Sequence, residues 1–210
     1  MKIPRSVCEE LLEMERRDLE ETERLAKSGE LEKYGYHPAL QKLHERNCGR
    51  LGEIWERYGM PTLRNGGEEA VLAAWRIAQH AIGSPAFMRR FAAECDKYSS
   101  EEIPLRGRAY LADRIAFYER RPQAFGSQFD YELNGRMRVW WLLDEERTEE
   151  RRARAGLSPL AEAKKRFEEY PRISEEEAAR KRAEQEAWLV ETGWCTGEDI
   201  ARYYRVRGKI

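Results

Sequence analysis

Apolar residues recur along most of this chain at helical spacing, and along one short stretch at strand spacing. The densest apolar segment is Ala73-Ala74-Trp75-Arg76-Ile77-Ala78-Gln79-His80-Ala81, followed by Ile82-Gly83-Ser84-Pro85. It predicts a helix from about Glu68 to Ile82, stopped by Gly83 as its C′ residue, with Pro85 opening the next helix. Leu40, Leu43, Leu51, Ile54, Trp55 and Tyr58 keep a helical period and predict a helix over 38–58. Phe87, Met88, Phe91 and Cys95 do the same for 85–98, and Leu111, Ile115 and Tyr118 for 105–120. A first helix should run from Val7 to Lys27, with Ser6 and Glu9 as a capping box. Its apolar residues Leu11, Met14 and Leu25 form only a thin stripe, which places it on the surface. Tyr34-Gly35-Tyr36-His37-Pro38 reads as the turn that follows it.

After Pro122 the period shortens to that of a strand. Phe129 to Leu133, then Asn134-Gly135, then Arg136 to Leu142 predict a β-hairpin, its type I′ turn requiring φ > 0 at both Asn134 and Gly135. Asp144 to Arg154 reads as a polar helix or turn, and Ser158 to Tyr170 as a helix. Pro171 marks a boundary. Ser174 with Glu177 caps a charged helix to about Glu191, and Thr196 with Asp199 caps a last turn through Tyr204. The predicted fold class is mainly α: a helical bundle-like domain over residues 1–170 with one β-hairpin, and a charged helical C-terminal appendage over 171–210. The appendage is poorer in apolar residues, so it is expected to be dispensable for folding of the rest.

The 210 residues suffice for one sizeable core, or one core plus an appendage. Charged residues make up 37% of the chain, yet the net charge is only −1. This balance argues against a dedicated nucleic-acid binder, so no nucleic-acid partner is expected. The C-terminal mixture of Trp188, Trp194, Tyr203 and Tyr204 with Arg202, Arg205, Arg207 and Lys209 has the residue types that stack on single strands. The balanced charge favours instead a helix folding back onto the core through Trp188 and Trp194. Cys8, Cys48, Cys95 and Cys195 are scattered and form no CxxC pair, which fits reduced thiols in the cytoplasm. No apolar run nears the roughly 20 residues of a membrane span, and no signal peptide is visible. Oligomeric state is not encoded legibly.

Candidate chemistry comes from polar residues set inside apolar patterns, where an unpaired buried group would cost about 1–3 kcal/mol. Gln79 and His80 stand near the end of the most apolar helix. His44 and Asn47 share a helix face, and His37 lies two turns before His44, about 10 Å along the axis. Asp113-Arg114 interrupts another apolar pattern, and Gln123 and Gln128 flank Gly126. The expected catalytic group is His80, Asp113 and His44, with His80 as acid/base and Asp113 as its orienting carboxylate. His37, Asn47, Trp75, Gln79, Arg114, Gln123 and Gln128 are expected to bind a small-molecule ligand at the same concave site. The rival is a buried polar network that fixes helix packing, with Gln123 and Gln128 tying loop backbone. His37, His44, His80 and Asp113 are ligand types suited to Zn or Fe, but no HxxxH or CxxC spacing occurs, so no metal is assigned. No Walker loop, GxGxxG or GxSxG motif is present, and no cofactor is assigned. Cys48, one turn after His44, reads as packing.

Residues from about His37 to Leu160 resemble the bacterial domain of unknown function 6624. The stretches that carry the resemblance are Tyr36-His37-Pro38, His44-Glu45-Arg46-Asn47 with Arg50-Leu51, Gly59-Met60-Pro61, Ala73-Ala74-Trp75 and Gln79-His80-Ala81. It continues in the same order through Pro85-Ala86-Phe87, Ala109-Tyr110-Leu111, Asp113-Arg114-Ile115, Pro122-Gln123, Phe125-Gly126-Ser127-Gln128 and Gly156-Leu157-Ser158-Pro159-Leu160. Met60 stands where the family usually has Trp, and Phe125-Gly126-Ser127-Gln128 where it has Tyr-Gly-Thr-Gln. In the first helix Asp18 is followed by Leu19, where the family often has Asp-Gln. The resemblance implies a bacterial, cytoplasmic protein and brings no activity with it. It does place all three histidines in matching motifs. The functional expectation is therefore a small-molecule enzyme, hydrolase- or lyase-like, with a His/Asp acid–base pair. The alternative is a non-catalytic binding or interaction domain.

Overall fold

A computed structural model of the chain describes residues 2–31 and 36–208. Its elements, in order, are α1 (Arg5–Lys27), α2 (Pro38–Tyr58), α3 (Gly67–His80), α4 (Pro85–Cys95), α5 (Leu105–Tyr118), β1 (Phe129–Tyr131), β2 (Met137–Val139), α6 (Glu145–Arg154), α7 (Leu160–Glu168), α8 (Glu175–Glu191) and α9 (Gly197–Arg207). The fold is mainly α with one antiparallel hairpin, as the periodicities predict. Tyr34 and Gly35 of the expected turn, and Lys209 of the basic tail, lie outside the described residues. The chain divides into two compact units, Met1–Gly107 and Arg108–Ile210, with the division in the first turn of α5. The boundary drawn from sequence at Pro171 falls inside the second unit.

In the first unit α1, α2 and α3 pack on one another, and α4 packs on α3. Of the stripe of α1, Leu11 and Leu25 are buried and Met14 is half-buried, and Val7 and Asp18 are buried with them. Its outer face is laced by i,i+3 and i,i+4 pairs such as Arg24–Glu21 and Arg17–Glu13, which suit an exposed helical surface. The helix starts at Arg5 behind Pro4, and no side chain caps it, so the Ser6–Glu9 capping box does not form. In α2, Pro38 occupies the first turn, and the His37 ring accepts the Ala39 N–H as its N-cap. Helix α3 stops at His80, two residues earlier than predicted, with Ala81 in the capping position. Gly83 is not the left-handed cap. Its missing side chain makes room for Tyr36, whose Cε1 would stand 3.2 Å from an added Cβ.

In the second unit Phe129, Asp130 and Tyr131 pair with Val139, Arg138 and Met137. The strands are shorter than the alternation suggested, and the turn differs. Gly135 donates its N–H to the Glu132 carbonyl and takes φ +77°, whereas Asn134 is not left-handed. This is a tight turn closed by a left-handed glycine rather than type I′. Asn134 contributes its side-chain oxygen to the Arg136 N–H instead. The segment after Pro171 belongs to this unit's core. Ile173 donates to the Gly135 carbonyl, Tyr203 stacks on Trp140 with ring centroids 4.8 Å apart, and Trp194 lies against Tyr118 at 5.0 Å. Leu189, Trp194 and Tyr203 are buried. Thr196 and Asp199 form the predicted capping box, but α9 continues to Arg207.

Candidate functional site

The three-helix packing of the first unit brings Asp18 of α1, His44 of α2 and His80 of α3 together. Asp18 divides its carboxylate between the two rings: Oδ1 is 3.1 Å from His44 Nε2, and Oδ2 is 2.8 Å from His80 Nδ1. The imidazole centroids are 5.3 Å apart. Tyr36 Oη lies 2.8 Å from the other ring nitrogen of His44, so the contacts run Tyr36–His44–Asp18–His80. Thr22 Oγ1 adds a long contact to Asp18 Oδ1 at 3.5 Å. Exposure grades across the group. Asp18 is 1% and His44 8% exposed at the side chain, whereas His80 is 25% exposed. The solvent-facing edge of the cluster is therefore His80.

Burial pushes the Asp18 carboxyl upward. The hydrogen bonds from His44 and His80, with the favourable electrostatics of both rings, outweigh it and hold the group well below the usual carboxylate range. Asp18 is thus an anion, and it accepts. The ring nitrogens facing it donate, and the other nitrogen of His44 faces the Tyr36 hydroxyl. Asp18, His44 and His80 each offer one ligand atom, and these atoms lie within 4.8 Å of one another. The group can therefore either orient imidazoles through hydrogen bonds or hold a cation.

The other expected residues of the first unit, and Arg76 beside them, hold the helices through partners of their own. Asn47 is buried and donates to the Met14 carbonyl at 3.4 Å, tying α2 to α1. Arg76, one turn before His80, pairs with Glu15 of α1. Gln79 is buried. Trp75 donates from Nε1 to the Gly107 carbonyl at 2.8 Å. His37 caps α2 through Nδ1, with Nε2 3.7 Å from Glu30. Of the three histidines, His44 and His80 share a carboxylate, and His37 serves a helix start.

Asp113, Gln123 and Gln128 do other work, in the second unit. The two Asp113 oxygens accept N–H groups from Ala124 at 2.9 Å, Phe125 at 3.1 Å and Ser127 at 2.9 Å. Burial pushes this carboxyl above its usual range, and those backbone donors offset the shift only in part. Gln123 is fully buried; its amide donates to the Gln128 and Trp140 carbonyls and accepts the Gln128 N–H. Arg152 of α6 donates to the Phe125 carbonyl on the same loop. The 123–128 loop is thus held on its N–H side by Asp113 and on its carbonyl side by Arg152. Arg114 is half-buried beside Asp113. Ser127, with Tyr110, Phe129, Arg152, Phe167 and Tyr170, lines a cavity of about 300 Å³.

The carboxylate that holds His80 is therefore Asp18, where sequence reasoning chose Asp113. The Tyr36 hydroxyl joins the group without a signal in the sequence pattern. The available signal was the heptad-like spacing of Leu11, Asp18 and Leu25, which sets a carboxylate in a buried stripe. Comparison of the chain with protein-family models, with curated proteins and with solved structures finds no match. Among the described residues, no helix is long and apolar enough to cross a membrane.

Proposed function

We propose that this protein is a small-molecule enzyme of the hydrolase or lyase kind, and that Asp18, His44 and His80 form its chemical centre. One observation carries this reading: a single buried carboxylate holds imidazoles from two other helices, and only one of them, His80, reaches solvent. Carboxylates that hold imidazoles in a fixed orientation recur where imidazoles do chemistry. In this assignment Asp18 fixes both rings, Tyr36 fixes the far side of His44, and the exposed edge of His80 is where substrate approaches. Asn47 and the Arg76–Glu15 pair hold α1 to its neighbours and so set the cluster's geometry. Membership of the bacterial family named above, and a cytoplasmic location with all four cysteines reduced, belong to the same proposal.

The test is a turnover screen of the purified full chain against carboxylic, phosphoric and amide esters and against β-elimination substrates. Asp18→Asn and His80→Asn, each checked by circular dichroism, should lower any activity found by at least about 100-fold, the size of effect usual for a lost acid–base or orienting group. If both variants melt at lower temperature yet keep every activity of the parent, the cluster is a packing network and the enzyme reading falls. A parent chain inactive across the whole screen also counts against it.

A further inference from the structure

We propose that Asp18, His44 and His80 together bind one divalent first-row transition cation, with its remaining coordination positions opening at the exposed edge of His80. This rests on the reading of the cluster as the chemical centre and names the group that works there. Asp18 is 1% exposed, and a carboxylate withdrawn from water needs hydrogen-bond donors, a countercharge or a metal. Among the described residues no lysine or arginine reaches it; its partners are two imidazoles and the Thr22 hydroxyl. Elsewhere in the first unit carboxylates do meet guanidinium groups, as Glu10 meets Arg50 and Glu15 meets Arg76. The most buried acid of that unit is the one given histidines instead.

The donor set and its spacing agree. Two imidazole nitrogens and one carboxylate oxygen are the ligands of many three-residue zinc sites and of two-histidine, one-carboxylate iron sites. Ligand atoms about 2.0–2.2 Å from such an ion stand roughly 3–3.5 Å apart. His44 Nε2 and His80 Nδ1 already lie 3.1 and 2.8 Å from the nearest Asp18 oxygens, and one ligand atom from each residue falls within 4.8 Å of the others. To ligate, each ring would present the nitrogen that faces Asp18, and His44 Nδ1 lies 2.8 Å from Tyr36 Oη. Tyr36 then orients a ligating ring, a role that second partners of metal-bound histidines usually fill. The grading of exposure, closed at Asp18 and His44 and open at His80, is that of a site with coordination positions left for water or substrate. Water on such an ion is a nucleophile near neutral pH, which suits hydrolysis.

The experiment is titration of the chelator-treated full chain with Co²⁺, followed by visible absorption and calorimetry. We expect one equivalent to bind with a ligand-field band, and Asp18→Asn and His80→Asn, folded by circular dichroism, to bind at least tenfold more weakly. Histidine-ring NMR of the parent chain covers the case where a variant fails to fold. Paramagnetic Co²⁺ should shift or erase the His44 and His80 ring signals first, with those of His37 least affected. No saturable binding, or binding that leaves the His44 and His80 rings untouched, overturns the proposal. The two readings fail separately. Co²⁺ held at these residues in a chain without turnover leaves the metal site standing and removes the enzyme. Turnover that depends on Asp18 and His80 but survives without any bound cation does the reverse.

Discussion

Ending the chain at Tyr170 should unfold the second unit, although the sequence marks Pro171 as a boundary. The deletion removes α8 and α9, and with them Leu189, Trp194 and Tyr203, all buried. Truncating one buried leucine costs about 2–5 kcal/mol and one large aromatic about 3–5 kcal/mol. Three such losses sum to roughly 8–15 kcal/mol, the same size as the stability of an ordinary domain. The deletion also bares what these residues cover. Trp140 loses its stacking partner Tyr203, Tyr118 loses Trp188 and Trp194, and the buried Arg120 loses its bond to Gln185 at 2.7 Å. Arg120 also loses Glu186, 3.7 Å away, so both of these α8 partners go with the deletion. The assay is a ¹H–¹⁵N spectrum and thermal melt of residues 1–170 beside the full chain. Signals from Phe129–Val139 should lose their dispersion, while those of α1, α2 and α3 keep it. Dispersed hairpin signals and an unshifted melt would refute the reasoning and restore the appendage view. A milder version, Trp194→Ala in the full chain, should cost about 3–5 kcal/mol.

Two further outcomes follow from local geometry. Gly135→Ala should destabilise the hairpin by at least about 2 kcal/mol, since the residue sits at φ +77° and an added Cβ would meet the Ile173 carbonyl oxygen at 1.9 Å; a melting temperature within one degree of the parent would contradict this. Hydrogen bonds from the Thr196 N–H and hydroxyl hold the Asp199 carboxyl below its usual range. Its contribution to stability is therefore present above the ordinary aspartate pKa near about 4 and is lost as pH falls through the lower folded value. Asp199→Asn should flatten the fall in melting temperature as pH drops below the ordinary aspartate pKa near about 4, and an unchanged slope would show that the capping box carries no pH dependence.

The helices were legible because each rests on a short-range signal. Leu40, Leu51 and Ile54 keep the period of α2, and Ser174 and Thr196 cap α8 and α9 as their spacing predicts. The hairpin was legible for the same reason, although its turn was not. Asn134-Gly135 marks the reversal, but which residues take φ > 0 depends on the partners found outside the turn. Here Gly135 alone goes left-handed, and its backbone then pairs with Ile173, nearly 40 residues on. The place of α8 and α9 was hidden by averaging. Their composition is dominated by the charged outer faces, while burial is concentrated in Leu189, Trp194 and Tyr203. A charge-rich segment with three large buried side chains reads as an appendage by composition and as core by position.

The site divides along the same line. His44 and His80 were visible because a histidine inside an apolar pattern must find a partner. Their partner was misassigned, because a carboxylate inside an apolar pattern is equally conspicuous at Asp113, and Asp113 has a different task. Its two oxygens collect three backbone N–H groups from one loop, which is what a single acid beside a tight loop can do without help from other helices. Asp18 sits in a helix where acids and bases alternate at nearly every turn, so its charge carries no contrast. Only its phase does. Leu11, Asp18 and Leu25 are seven residues apart, and two helical turns bring each within about 20° of the same direction. The two leucines are fully buried, so the residue midway between them must be buried too. A carboxylate forced inward by its neighbours, with arginines spent on the outer face of the same helix, has to draw its partners from the helices packed against it. The two histidines on α2 and α3 are what those helices supply.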